Sequence, residues 1–271
     1  MFPLRPRAGR VAIVEMHGSI GGGVRPAALE PLLEGVQRAR WIRALVLDIN
    51  SPGGSAGAAD ALYRRVKAIA HHKPVVAFLW EVGASGAYYI ACAAHRIVAS
   101  PAAVVGSIGV LSLHPILEAL LQRWGIRLDV YKGGRLKDIG SPWRQPTDEE
   151  RAKLQGLVDG FYSLFLDVVA EGRKMDRERV RELATGELFL APQGKEIGLV
   201  DEIGDRDRAC DLAAQMAGIR RRVVTLRPRR PLLARLLQPA GEALAAGVWE
   251  AIEARLWRTI IPFFLYPPFK P

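Results

Sequence analysis

Two periods of apolar residues alternate along the first two-thirds of the chain. Short unbroken apolar runs at 11–16 (VAIVEM), 43–49 (RALVLDI) and 75–79 (VVAFL) have the length of buried strands. Between them, residues 26–40 and 57–70 place apolar side chains three and four apart, the period of an amphipathic helix. The same reading predicts strands over 96–100, 107–111 and 126–132, and helices over 84–94 and 116–125. Strands that alternate with helices pair in parallel through right-handed crossovers, which makes this an α/β chain. Thr147 followed by Glu150 forms a capping box and opens a long helix over 147–172, with shorter helices near 176–184 and 191–197. No repeat of 20–50 residues is visible.

The pattern changes near residue 229. Leu232, Leu233, Leu236 and Leu237 share one helical side, and Leu244, Val248, Trp249, Ile252, Leu256, Trp257 and Ile260 continue an apolar stripe flanked by Arg255 and Arg258. Such a segment suits a membrane interface or a neighbouring subunit. The expected organisation is a basic tail at 1–10, one domain over 11–228 and an amphipathic helical tail over 229–271. Residues 97–117 carry no Asp, Glu, Lys or Arg, but Ser100, Pro101, Gly106, Ser107, Gly109, Ser112, His114 and Pro115 break that stretch into strands and turns rather than a membrane span. The N-terminal apolar run is shorter than a signal peptide needs. A cytoplasmic or peripheral-membrane location is therefore expected.

Composition narrows the classes. With 271 residues, 49% hydrophobic and 24% charged, the chain is globular rather than disordered or coiled-coil. Two cysteines, Cys92 and Cys210, exclude a disulfide scaffold and a four-cysteine zinc site, and the Ala-rich surroundings of Cys92 suit an inert buried thiol. The net charge of +10 is carried by 30 arginines and only 8 lysines. No nucleic-acid-binding signature accompanies it, so no nucleic-acid partner is expected.

Three stretches follow strand ends, where open α/β sheets place their sites. In DINSPGGSAG (48–57), Pro52, Gly53 and Gly54 make a turn that can aim backbone N–H groups into a cleft. In EVGASGAYY (81–89), Ser85 lies at a tight strand-to-helix turn that exposes its hydroxyl. KGGRLKDIGSP (132–142) holds Lys132 and Lys137. A serine nucleophile needs a base, and a desolvated lysine can serve. None of the five histidines, His17, His71, His72, His95 and His114, has an acidic partner at a telling spacing.

Taken in order, SPGG, GASGAYYIA, GSIGV, KGGRLKDIGSPWR and GLVDEIG resemble the signal peptide peptidase A and SohB family of serine proteases, over residues 11–203. The resemblance implies a Clp protease/crotonase-like spiral of parallel strand-turn-helix units. It implies Ser85 as nucleophile, Lys137 as general base with Lys132 as the alternative, and Ser107 as the serine that orients the lysine. It further implies oxyanion-hole N–H groups from Gly53 or Gly54 and from Gly86. Families of this type divide the serine and lysine between adjacent protomers of a ring. The implied reaction is endopeptidase cleavage of extended apolar peptides, such as cleaved signal peptides or membrane-protein fragments, with no metal or organic cofactor. Two motifs depart from the family: His95 stands where an aspartate is common, and GASGA replaces ASGG. The rival functions are a crotonase-like acyl-transfer enzyme and an inactive membrane- or peptide-binding scaffold.

Overall fold

The computed structural model describes residues 9–228. The chain divides into two units, Met1–Arg227 and Pro228–Pro271, and the described residues belong to the first except Pro228. The expected amphipathic tail over 229–271 lies outside the described residues, as does the basic tail up to residue 8. Among the described residues, no helix is long and apolar enough to cross a membrane.

The first three strands build the centre: β1 (Arg10–His17), β2 (Ile42–Ser51) and β3 (Val75–Ala84), each parallel to the next. Their apolar runs lack polar alternation because both faces are covered. On one face lie α1 (Pro26–Arg38) and α2 (Ala56–Ala70), whose buried residues Leu29, Leu33, Leu62 and Val66 share a core with Val14, Leu45, Leu47 and Leu79. The other face packs Val11, Ile13, Val46 and Phe78 against Ala209, Cys210, Ala213 and Ala214. Those four come from α8 (Arg206–Met216), a helix the periodicity did not signal. The fully buried residues of the helix are all small, with Leu212 only partly buried against the same cluster, so no strong apolar stripe marks it.

Beyond the centre the sheet forks. The first half of β3 pairs with β4 (Arg96–Ala99), and its last residues, Val82–Ala84, pair with β5 (Val104–Gly106). Between the two partners β3 carries two extra residues opposite β2, since Ile49 faces Leu79 while Ser51 faces Gly83. Asn50 fills this irregularity: its Oδ1 accepts the Val82 N–H at 3.1 Å and its Nδ2 donates to Glu81 at 2.9 Å. The bulge redirects the end of β3 away from the plane of β1 and β2.

Helix α3 (Gly86–Ala91) follows β3 directly. After β5 come α4 (Glu118–Arg123) and the long α5 (Asp148–Arg173), whose Thr147–Glu150 capping box forms as expected. Helix α6 (Arg177–Leu183), β6 (Leu188–Leu190), α7 (Ala191–Glu196), β7 (Glu202–Ile203) and, after α8, β8 (Val223–Leu226) complete the described chain. The main strand order is β6-β5-β3-β2-β1-β8, and every pairing is parallel except β5 with β6. The GLVDEIG motif is structural. The Asp201 carboxylate accepts from the Ile97 N–H at 2.7 Å and from Arg173 at 2.9 Å, tying β4 to α5. Tyr88, fully buried, donates to the Leu199 carbonyl at 2.7 Å.

Two expected strands change. The strand expected over 107–111 ends at Gly106, because Ser107 turns the chain with φ +49°. The strand expected over 126–132 does not form: this stretch has no ladder partner in the protomer, and Ile126, Leu128 and Val130 face solvent. Its alternating pattern is that of a strand, but pairing requires a neighbour that one copy of the chain does not supply.

Candidate active site

Ser85 occupies the junction of β3 and α3 with φ +52° and ψ −125°, a conformation that costs a non-glycine residue about 1–3 kcal/mol. Its surroundings hold it there. The Ser85 N–H donates to the Gly106 carbonyl and its own carbonyl accepts from the Tyr89 N–H, both at 2.9 Å. The SPGG turn presses against the junction so closely that a Cβ on Gly53 would lie 2.7 Å from both the Gly86 nitrogen and the Ser85 Cβ. Gly53 has φ +99° and Gly54 φ +144°, so the turn needs glycine on conformational as well as steric grounds.

The two glycines play different parts. The Gly53 N–H is taken by the Ser51 hydroxyl at 3.1 Å, and Gly53 is buried. Gly54 is exposed and lines the same groove as Ser85 and Gly86. Flanking bonds from the Ile20 N–H to the Gly53 carbonyl (2.7 Å) and from the Ser55 N–H to the Ile20 carbonyl (2.9 Å) fix its orientation. Gly54 rather than Gly53 is therefore the turn's candidate donor, a choice the sequence left open.

The groove has a volume of 830 Å³. Its floor carries Ser85, Gly86, Gly54 and Ser107, and Leu154, Leu157, Val158, Phe161 and Phe165 of α5 form an apolar wall. Leu157 is 61% exposed and Phe161 43%, a substantial apolar surface left open to a ligand.

Four of the expected site residues thus meet in one groove. Lys137 is not among the residues lining it. It lies on an exposed turn, its N–H bonded to the Gly134 carbonyl at 3.2 Å, within a long segment between β5 and α5 that contains only α4. This segment displays Leu113 (84% exposed), Trp124 (66%) and Tyr131 (94%). Lys132 is occupied otherwise, donating to Asp138 at 2.5 Å.

The histidines gain partners that spacing did not reveal. His17 meets the buried Asp48 at 3.3 Å, across 31 residues. Strand alternation puts this pair on the α8 face, with Ile13 and Val46, whereas the groove is built from α2, α3 and α5 on the opposite side. His114 bonds the Ser112 hydroxyl at 2.8 Å, and Ser112 lines the groove. Burial pushes the Cys92 thiol up to about 12, which suits the inert thiol expected. Among the described residues no cluster of His, Cys, Asp and Glu could hold a metal ion.

The architecture defines the class first. The solved structure of a ClpP1 mutant from Listeria monocytogenes superimposes with a TM-score of 0.50 over 72% of this chain and 92% of its own, at 16% identity. The fold is thus that of the Clp protease. Residues 67–220 match Peptidase family S49, a range that spans Ser85, Ser107 and Lys137, and the chain belongs to that family. Among its relatives is a protein named putative protease slr0021 from Synechocystis sp., 36% identical over 84% of this chain and 82% of the relative. Another is named putative signal peptide peptidase SppA, from Enterococcus faecium, 35% identical over 66% of this chain and 52% of the relative.

Proposed function

We propose that the protein is a serine endopeptidase in which Ser85 is the nucleophile and Lys137, supplied by a neighbouring copy of the chain, is the general base. The observation that carries this reading is the strained Ser85 turn, clamped against the SPGG loop beside the Gly54 and Gly86 N–H groups in an apolar groove. Strain of this kind persists where the surrounding structure enforces it, and it holds a hydroxyl toward a bound carbonyl.

In the reaction, neutral Lys137 takes the Ser85 hydroxyl proton as Oγ bonds to the peptide carbonyl carbon. The resulting oxyanion accepts hydrogen bonds from Gly54 and Gly86, each worth about 3 kcal/mol in comparable sites. Collapse breaks the C–N bond, and the leaving amine takes the proton from Lys137. Lys137 then deprotonates a water molecule, which attacks the acyl-enzyme and releases the second product. Ser107 orients the lysine amine. Leu154, Leu157, Val158 and Phe161 suit an extended apolar peptide, with cleaved signal peptides and membrane-protein fragments as the substrate class.

The separation of Lys137 from the groove supports assembly as a ring. Solvent-facing apolar residues on the same segment, Leu113, Trp124 and Leu128 among them, are the kind of surface a second copy covers. Membership of a peptidase family favours hydrolysis over the crotonase-like acyl transfer. Residues 229–271 would add a peripheral membrane contact.

A fluorophosphonate probe together with peptide hydrolysis tests the reading. Ser85→Ala and Lys137→Ala each abolish turnover while folding and assembly persist, whereas Lys132→Ala remains active. Mixing the two dead variants during refolding restores activity if the pair is divided between protomers. Labelling that survives in Ser85→Ala would refute the nucleophile, and full turnover by Lys137→Ala would refute the base.

A further inference from the structure

Lys137 is followed in sequence by a carboxylate, Asp138, and a free carboxylate beside a catalytic amine is an obstacle. It would hold the amine as an ammonium ion and draw it from its target. The structure gives Asp138 other partners. Its side chain is only 9% exposed; Lys132 donates to Oδ1 at 2.5 Å and Arg144 Nε donates to Oδ2 at 2.9 Å. Arg144 turns its other nitrogens to Glu150, Nη1 to Oε2 at 2.8 Å and Nη2 to Oε1 at 2.5 Å, a two-pronged pairing. Glu150 is itself buried, and it accepts the Thr147 N–H at 2.8 Å as part of the α5 capping box. Arg144 and then Lys132 hold the Asp138 carboxyl far below its usual range, and Arg144 and the Thr147 N–H hold Glu150 down to about 2. Both carboxylates are therefore anions engaged with cations at neutral pH. Lys137 itself makes no ion pair with another described residue; Arg135 on the same turn pairs with Glu149.

We infer that Arg144 is a positioning residue for the lysine base: it binds Asp138 to Glu150 at the head of α5, so that the turn carrying Lys137 is anchored to the groove wall and the adjacent carboxylate is kept off the lysine amine. This rests on the reading of Lys137 as the base. It assigns a use to the arginine of SPWR, which lies outside the groove. The anchor acts within one protomer, whichever copy's serine Lys137 serves, because α5 and the turn belong to the same chain. Arg144 bridges two carboxylates with a planar fork of donors, a geometry lysine cannot reproduce.

The experiment is steady-state peptide hydrolysis by the full chain, with the assembly state followed by size exclusion. Arg144→Met lowers kcat by about tenfold or more with KM within about twofold, since the loss falls on the chemical step and not on binding. Adding Asp138→Asn to Arg144→Met recovers a large part of the lost kcat, because the competing anion has gone. If Arg144 served only the stability of the segment, the second substitution would leave the rate as low or lower. A wild-type kcat in Arg144→Met, or no recovery in the double variant, overturns the inference. Should Arg144→Met fail to assemble, Glu150→Gln replaces it: it keeps an acceptor for the Thr147 N–H and loosens the hold on Arg144. A fall in kcat with KM within about twofold is expected, because the turn loses its tie to α5 while Asp138 keeps Lys132 and Arg144; an unchanged kcat overturns the inference. Lys137→Ala is run alongside. If that variant stays active, the base assignment itself has failed, an outcome distinct from an inactive Lys137→Ala beside a fully active Arg144→Met.

Discussion

The turn at Ser85 and the segment that bears Lys137 are built on opposite principles. Around Ser85, backbone meets backbone: Gly53 touches Gly86, Gly54 abuts Ile20, and Ser85 hydrogen-bonds Gly106. A Cβ on Gly53 or Gly54 would clash with backbone there, so the strained serine is held by close-packed main chain on the side away from the groove. The Lys137 segment holds itself together through side-chain charge, with Asp138, Arg144 and Glu150 as its anchor, and leaves its apolar residues in solvent. In the proposed mechanism, one protomer completes the nucleophile half of the site by close packing, and a partner copy seats the base half.

Substitutions can break this contrast from either side. Among substitutions that leave Ser85 and Lys137 in place, the largest loss of activity is expected from Gly54→Ala. Its methyl would lie 2.2 Å from the Ile20 carbonyl oxygen at a φ of +144°, so the turn must shift and withdraw its N–H. Hydrolysis should fall by about 10²–10³, the cost of losing an oxyanion donor, and a lower melting temperature should accompany it. Full activity in this variant would remove the turn from the site.

On the other side, Trp124→Glu with Leu128→Arg places charge on the exposed apolar face without touching the protomer core. Size exclusion should report smaller species, peptide hydrolysis should be largely lost, and the far-UV spectrum should stay unchanged. Retained assembly would detach this face from any subunit contact. A smaller loss, about tenfold, is expected for Asn50→Leu, which leaves the Val82 N–H without its acceptor and relaxes the bulge that aims β3. The cost in stability should be about 1–3 kcal/mol by denaturant titration.

The acid response sharpens the comparison through a group distant from the chemistry. Burial alone would raise the Asp201 carboxyl, but hydrogen bonds from Arg173, the Ile97 N–H and Arg96 outweigh burial and hold it below its usual value. A depressed folded value means that this stabilisation is complete above the unfolded value, about 3.9, and is lost as pH falls through the folded one. Asp201→Asn should therefore flatten the acid limb of the melting curve against pH while changing the rate near neutrality little. The smallest effect is expected from His114→Ala. A loss of more than about tenfold there would favour the Ser112–His114 pair as the proton acceptor over Lys137.

Much of this could be read from the residues in order. The buried runs of β1, β2 and β3 declared themselves by unbroken hydrophobicity, and Thr147 with Glu150 marked the start of α5 to within a residue. The Ser85 turn was legible because small residues between a strand and a helix leave few alternatives. Helix α8 was not, since alanines and a cysteine face the sheet and give little periodic signal. Residues 126–132 carried the pattern of a strand, yet alternation specifies which side chains share a face and not whether a partner exists.

The chain's own order of residues determined the parallel α/β alternation, the tight turn at Ser85 and the small set of lysines from which a base could come, since these depend on local sterics and on the period of burial. Tertiary structure alone decided that Gly54 and not Gly53 keeps a free N–H, that Asn50 bends β3, that His17 finds Asp48 on the far face, and that Arg144 joins Asp138 to Glu150. Each of these depends on which distant groups come within hydrogen-bonding reach, a property of the packed chain that no spacing along it encodes.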